Sequence, residues 1–250
     1  MSTTNAQLRP TRLYKDILPK ENPDDRAYVT ILDKIFPYTM TVTDGLDATY
    51  ALFQAVRYII QNNIAGDMVE CGVWRGGSMM LIAYTLQHFN DTSRQLYLYD
   101  TYAGMTEPDD IDADFDDKAQ KPIWAEITNR GRVMGFGGTV EEVKANLRLS
   151  GYPEEQMHFI VGDVLRTIPA HLPSRIALLR LDTDWYKSTL HELQHLYDLI
   201  VPHGVLIIDD YGWCRGSRQA TDEFFHDRSF KPMLHRIDQG PRIIIKPACP

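Results

Sequence analysis

Along most of the chain, short apolar runs that finish in acidic residues alternate with longer stretches of helical spacing. The clearest example spans 176–211, IALLRLDTDWYKSTLHELQHLYDLIVPHGVLIIDDY, where two apolar runs flank a segment of period 3.6. Strand, helix and strand in that order predict a parallel βαβ unit with a right-handed crossover, the helix running over about 187–200. Asp182, Asp184, Asp209 and Asp210 therefore emerge together at the carboxyl edge of the sheet. Upstream, 67–71, QLYLYD at 95–100 and HFIVGDV at 158–164 each predict a further strand ending in polar residues. Helices are expected at about 26–36, stopped by Pro37, and at about 46–62. At the end of the chain PMLHRID and RIIIKP are separated only by QGP, too short for a crossover, so an antiparallel hairpin is expected at the sheet edge. The pattern predicts an α/β, Rossmann-like sheet, mostly parallel, with an antiparallel C-terminal hairpin. Residues 1–65 read as an N-terminal arm and helical cap, and 66–250 as the core, with a lid inserted at about 103–150.

Composition narrows the function classes. The chain of 250 residues carries a formal charge of −8 and no basic stripe, which argues against a nucleic-acid partner. The segment 106–120, TEPDDIDADFDDKAQ, holds seven acids and one lysine, hence −6 of that total. Its acidity and few apolar residues predict a segment that packs poorly, a mobile surface stretch or lid. Three cysteines, Cys71, Cys214 and Cys249, show no CxxC spacing and suit a reducing cytoplasm. No apolar run is long enough to cross a bilayer, so no membrane partner is expected.

Candidate chemistry concentrates at the strand ends. Four aspartates on one edge repel one another unless something positive lies among them, and all-oxygen donors suit magnesium or calcium. The first strand runs into VECGVWRGGS, where Gly72, Gly76 and Gly77 allow a tight turn and the following helix offers free N–H groups to a ligand. Counted from Gly72, the later glycines fall at +4 and +5, which excludes the dinucleotide GxGxxG. Asp100 is placed to accept ribose hydroxyls, and Asp163, after Gly162, to meet an adenine amino group. The YTMT loop at 38–41 precedes the sheet and is a candidate cover for its active edge. GFGGTVEEVKANLRLSG supplies glycines for a hinge, then Thr139 and Glu142 in capping-box relation before a helix closed by Gly151. Two other motifs fail. An EF-hand loop begun at Asp110 would place Phe115 where glycine is needed. HELQH matches a zinc-protease HExxH, but the stripe of Leu190, Leu193, Leu196, Tyr197 and Ile200 must face the sheet, which turns His191 and His195 toward solvent. Farther on, a helix capped by Ser217 is expected.

Taken together, VECGVWRGGS, YDTYAGM, GFGGTVEEVKANL, LLRLDTDWYKSTL and GVLIIDDYG resemble the macrocin-type O-methyltransferases, which methylate sugar hydroxyls of macrolide and aminocoumarin natural products. The resemblance runs from about Tyr38 to Lys246. It implies a class I methyltransferase fold, S-adenosylmethionine as methyl donor, and magnesium held by Asp182, Asp209 and Asp210. It further implies Asp184 as general base, with the donor over Glu70, Gly72, Ser78, Asp100, Gly162 and Asp163 and additional contacts from Met40 and Thr41. A glycosylated small-molecule acceptor and a homo-oligomer are implied as well. The alternatives are a catechol or phenolic acceptor and, from a different class, a nicotinamide-dependent oxidoreductase.

Overall fold

The computed structural model describes residues 23–40, 46–135 and 137–248. Thr41, Cys249 and residues 1–22, the start of the expected N-terminal arm, lie outside the described residues. Seven strands form one sheet: β1 (Asp67–Cys71), β2 (Leu96–Asp100), β3 (Met157–Val161), β4 (Ile176–Leu181), β5 (Ile200–Ile208), β6 (His235–Arg236) and β7 (Arg242–Ile245). Their order is β3-β2-β1-β4-β5-β7-β6. The first five pair in parallel, while β7 runs antiparallel to both β5 and β6. The short connection 237–241 thus makes the expected hairpin, and its second strand, β7, is the one that joins β5.

Alternation along the strands divides the core into two layers. Met68, Leu98, Leu178 and Val205 face α1 (Pro23–Ile35), α2 (Asp47–Gln61) and α3 (Gly77–His88). The residues next to them, Val69, Tyr99, Leu179 and Leu206, face the opposite layer. That second layer contains α6 (Val164–Thr167), α7 (Tyr186–Leu196) and α8 (Arg215–His226). The N-terminal helices share the sheet's core, since Tyr28, Leu32, Phe53 and Ile59 are fully enclosed there. In α1, Pro23 occupies the first turn, where its missing N–H costs nothing, and the helix begins earlier than its apolar spacing suggested. The crossover helix is shorter than expected: α7 ends at Leu196 and tightens into a single 3-10 turn, Tyr197–Leu199, so that β5 can start at Ile200.

Strand order reverses between β1 and β4, and the crevice at this switch point opens at the strands' carboxyl ends. Here the two backbones meet closely. The Asp182 N–H donates to the Cys71 carbonyl at 2.8 Å, and a Cβ on Gly72 (φ +82°) would lie 1.8 Å from the Asp182 carbonyl oxygen. Gly72 is therefore needed first for strand-to-strand approach.

Two local expectations are corrected. Ser217 does not cap α8. The helix starts at Arg215 after Cys214, and the Ser217 side chain is buried within the first turn, its hydroxyl without a partner among the described residues. Part of the acidic insertion packs, against the expectation for it, while residues 115–119 stay exposed as expected. Asp112 is 1% exposed and Ala113 is buried, because the acid is used as an acceptor for backbone amides. Backbone bridges join Ala113 to Ala119 and Asp114 to Cys214. Beyond it lie α4 (Gln120–Asn129) and α5 (Val140–Arg148), the latter opened by the expected Thr139–Glu142 capping box.

Candidate active site

A cavity of about 600 Å³ occupies the crevice. One end is formed by the loop after β1 and the start of α3. Gly76 adopts φ +89° as the N-cap, and Gly77 and Ser78 follow with N–H groups at the free helix terminus. Gly72, Ser78, Asp100, Gly162 and Asp163 all line the cavity, as does Met40, which is 59% exposed. A side chain on Gly77 would strike the Tyr38 carbonyl at 2.4 Å, so this glycine lets residues 38–39 cross over the helix start.

Asp100 does more than was expected of it. One carboxylate oxygen accepts the N–H groups of Val73 (2.7 Å) and Trp74 (3.0 Å), and the other accepts that of Tyr102 (2.8 Å). Three of its roughly four acceptor positions thus tie the β1 and β2 loops together. Asp163 caps α6 through the Leu165 N–H at 2.9 Å.

The other end of the cavity is carboxylate-rich. Asp182, Asp209 and Asp210 each offer an oxygen, all within 4.8 Å of one another. Asp184, in the left-handed region at φ 64°, donates its N–H to Asp210 Oδ2 at 2.9 Å, while its own Oδ1 accepts a long contact from Cys214 Sγ at 3.5 Å. Burial, reinforced by Asp182, pushes Asp184 up to about 7. Burial also pushes Asp209 up to about 7, against the pull of Arg180, and Asp210 well above the usual carboxylate range.

Arg180 explains how these acids coexist. It lies in the middle of β4, 2% exposed, and is the cation the sequence reading missed. Nη1 donates to Glu70 Oε1 (2.8 Å) and Asp182 Oδ2 (2.6 Å), and Nη2 lies 2.7 Å from Asp209 Oδ1. Burial opposes its charge, but Asp182, Asp209 and Glu70 more than compensate. Glu70 pairs across strands with Arg180 and lies beneath the cavity, outside its lining. Desolvation, only partly offset by Arg180, pushes it up to about 8.

This pairing of a glycine-rich loop with an acidic edge matches a known family. The macrocin-O-methyltransferase (TylF) family model matches residues 14–242. The chain belongs to that family. It is 31% identical over 181 residues to 8-demethyl-8-(2,3-dimethoxy-alpha-L-rhamnosyl)-tetracenomycin-C 4'-O-methyltransferase of Streptomyces olivaceus. It is 32% identical over 180 residues to demethyldecarbamoylnovobiocin O-methyltransferase of Streptomyces niveus. Each match takes in 72% of this chain and 66% of the relative's length. The solved O-methyltransferase NovP superposes with a TM-score of 0.72 at 28% identity, covering 85% of this chain and 84% of that one. The calicheamicin methyltransferase CalS11 shares the fold, with a TM-score of 0.64 at 15% identity over 91% of this chain and 95% of its own. The sheet is thus that of class I methyltransferases, and the nicotinamide-dependent alternative is left without support.

Within this macrocin-type chain the HExxH match loses its remaining chemistry. His191 and His195 are half-buried rather than turned to open solvent, because the loop after α6 covers that side of α7; His191 Nε2 lies 2.9 Å from the Ile168 carbonyl. Glu192 between them points into the core, fully buried. Its Oε2 accepts from the Thr183 hydroxyl at 3.1 Å, and its Oε1 has no partner among the described residues. No potential three-ligand group among the described residues includes either histidine.

The acidic insertion walls the carboxylate end. Thr106, Glu107, Asp109 and Asp112 line the cavity beside Trp185, Lys187 and Trp213. Trp185 Nε1 donates to the Thr106 carbonyl at 3.0 Å, and Lys187 Nζ to Asp109 Oδ1 at 2.8 Å. These residues had no motif to announce them, since their role depends on where the insertion lands.

Proposed function

We propose that this chain transfers a methyl group from S-adenosylmethionine to a hydroxyl of a glycosylated small molecule, with magnesium required at the carboxylate end. The observation that carries the reading is the convergence of Asp182, Asp209 and Asp210 at one end of a cavity whose other end is a glycine loop and free helix terminus. The donor set fits a hard cation. Arg180 or the Asp184 amide takes one oxygen of each carboxylate, which leaves Asp182 Oδ1, Asp209 Oδ2 and Asp210 Oδ1 for the ion.

Magnesium bound there would supply positive charge that makes an acceptor hydroxyl easier to deprotonate. Gly72, Ser78, Gly162 and Asp163 bind the donor, with Asp100 holding the two loops in register and Met40 lining the cavity beside them. Asp184 removes the hydroxyl proton as the acceptor oxygen attacks the methyl carbon. S-adenosylmethionine held there would supply the methyl group from its cationic sulfonium, the C–S electron pair staying on sulfur to leave a neutral thioether as the C–O bond forms. Trp185 and Trp213 wall the reacting end and exclude water. A homo-oligomer and a cytoplasmic setting go with this reading.

Calorimetry of S-adenosylmethionine binding, with and without magnesium, on wild type and Asp182→Ala tests it, together with methyl transfer to a panel of glycosylated and phenolic acceptors. Donor binding that survives the substitution, with transfer to glycosides that needs both magnesium and Asp182, is expected. Absence of donor binding under every condition would overturn the reading.

A further inference from the structure

The arginine inside β4 touches two of the three carboxylates assigned to the cation, and it does so in a restrictive way. Its planar fork occupies Asp182 Oδ2 through Nη1 and Asp209 Oδ1 through Nη2, at 2.6 and 2.7 Å. Glu70, 1% exposed on the neighbouring strand, holds the same Nη1 at 2.8 Å from the sheet side. All three contacts lie within or beside the central β1–β4 pair, and the fork restrains rotation of both carboxylates by engaging one oxygen of each. Asp210 is restricted similarly, because its Oδ2 accepts the Asp184 N–H. A cation entering this site therefore meets single oxygens.

We infer that Arg180 is a positioning residue that sets the cation selectivity of the site, by confining Asp182 and Asp209 to one-oxygen ligation. Magnesium takes near-octahedral single-oxygen ligands and retains several waters, whereas calcium takes six to eight oxygens and gains from two-oxygen carboxylates. The restraint consequently favours the smaller ion. The guanidinium geometry matters as well as its charge, because an ammonium at the same place cannot hold two carboxylates in one plane. The inference rests on the divalent-cation reading above.

Two full-length variants separate the possibilities. Arg180→Lys keeps the charge and loses the fork. The double variant Glu70→Gln/Arg180→Met removes the cation together with its fully buried partner, so that Glu70 is not left as an unpaired buried charge, while Asp182 and Asp209, 30% and 17% exposed, keep contact with solvent. Near-ultraviolet circular dichroism checks that each is folded, and calorimetric titration with magnesium chloride and with calcium chloride gives the ratio of the two affinities. Wild type is expected to prefer magnesium. Loss of an orienting partner typically costs about 10- to 100-fold in metal affinity, and here that loss is expected to fall mainly on magnesium, moving the ratio toward calcium by about 10-fold or more. A merely structural ion pair would leave the ratio unchanged, so folded variants that keep the wild-type ratio overturn the inference. Arg180→Lys with the wild-type ratio beside a shifted double variant also overturns it, by showing that charge alone suffices. Wild type that binds neither ion would remove the cation reading itself, and the inference with it. Wild type that binds both without preferring magnesium would overturn the inference alone.

Discussion

Replacing Asp112 tests whether the acidic insertion is a structural part of the active edge. Its Oδ1 accepts the N–H of Tyr186, the first residue of α7, at 2.8 Å, and its Oδ2 accepts the Asp109 N–H at 2.7 Å. Trp185, the N-cap of α7, makes no side-chain cap, so an acid from the insertion satisfies this helix terminus in its place. The same carboxylate reaches α8: a Cβ on Gly216 would lie 1.9 Å from Asp112 Oδ1. Two helix N-termini, both favourable to negative charge, therefore converge on one aspartate. Burial nonetheless raises its pKa, with the Tyr186 and Asp109 amides opposing the rise, so desolvation offsets part of the gain.

Asp112→Ala removes two charge-assisted hydrogen bonds, each worth roughly 1.5–3 kcal/mol, and leaves a buried helix N–H unpaired. After the relieved desolvation is deducted, a net loss of about 3 kcal/mol is reasonable, near the upper end for a lost cap combined with a second bond. For a domain of this size that corresponds to a Tm lower by about 6–12 °C. Asp112→Asn keeps one acceptor for Tyr186 but turns an amide donor toward the Asp109 N–H, so about half the effect is expected. Thermal melting measures the total. Hydrogen exchange at the Tyr186 and Arg215 amides locates it, since the Arg215 N–H donates to the Ala113 carbonyl in the same docked segment. An alanine variant that melts within a degree or two of wild type, with unchanged exchange at both amides, would refute the reasoning.

Three further outcomes follow from the same geometry. Burial drives Glu192 well above its ordinary pKa, so the folded protein keeps a proton there that the unfolded chain releases above about 4.5. Wild-type stability then falls with rising pH by about 1.4 kcal/mol per unit from this group until its folded pKa is reached, and Glu192→Gln removes that part of the slope; denaturant titrations from pH 5 to 8 with identical slopes would contradict it. Gly72→Ala combines φ +82° with a Cβ 1.8 Å from the Asp182 carbonyl, and roughly 2–6 kcal/mol of strain and overpacking is expected, read as a lower denaturation midpoint. Asp184→Asn is expected to lower methyl transfer by about 10²–10⁴-fold while calorimetric magnesium binding persists, because the substitution removes the proposed base and leaves the three proposed ligands in place.

The parts of the fold that were legible in the sequence are those where one residue type meets one demand. Apolar runs ending in acids located five parallel strands, and a three-residue gap forced the hairpin. The paired aspartates at two successive strand ends could be brought to one edge by connectivity alone. What could not be read were roles that arise only when distant segments meet. The family resemblance implied Glu70 as a donor contact, yet strand pairing places it opposite Arg180, and the two side chains bond under the cavity. Asp112 belonged to a segment whose composition suggested solvent, yet its carboxylate lies buried between two helix starts. One signal was available in each case. An arginine within IALLRLD cannot remain unpaired in a central strand and must find carboxylates, while α7 begins with no capping side chain of its own and must borrow one. Searching a sequence for such unmet electrostatic and hydrogen-bonding demands, as well as for motifs that supply them, would have pointed to Arg180 and to the insertion as parts of the active edge.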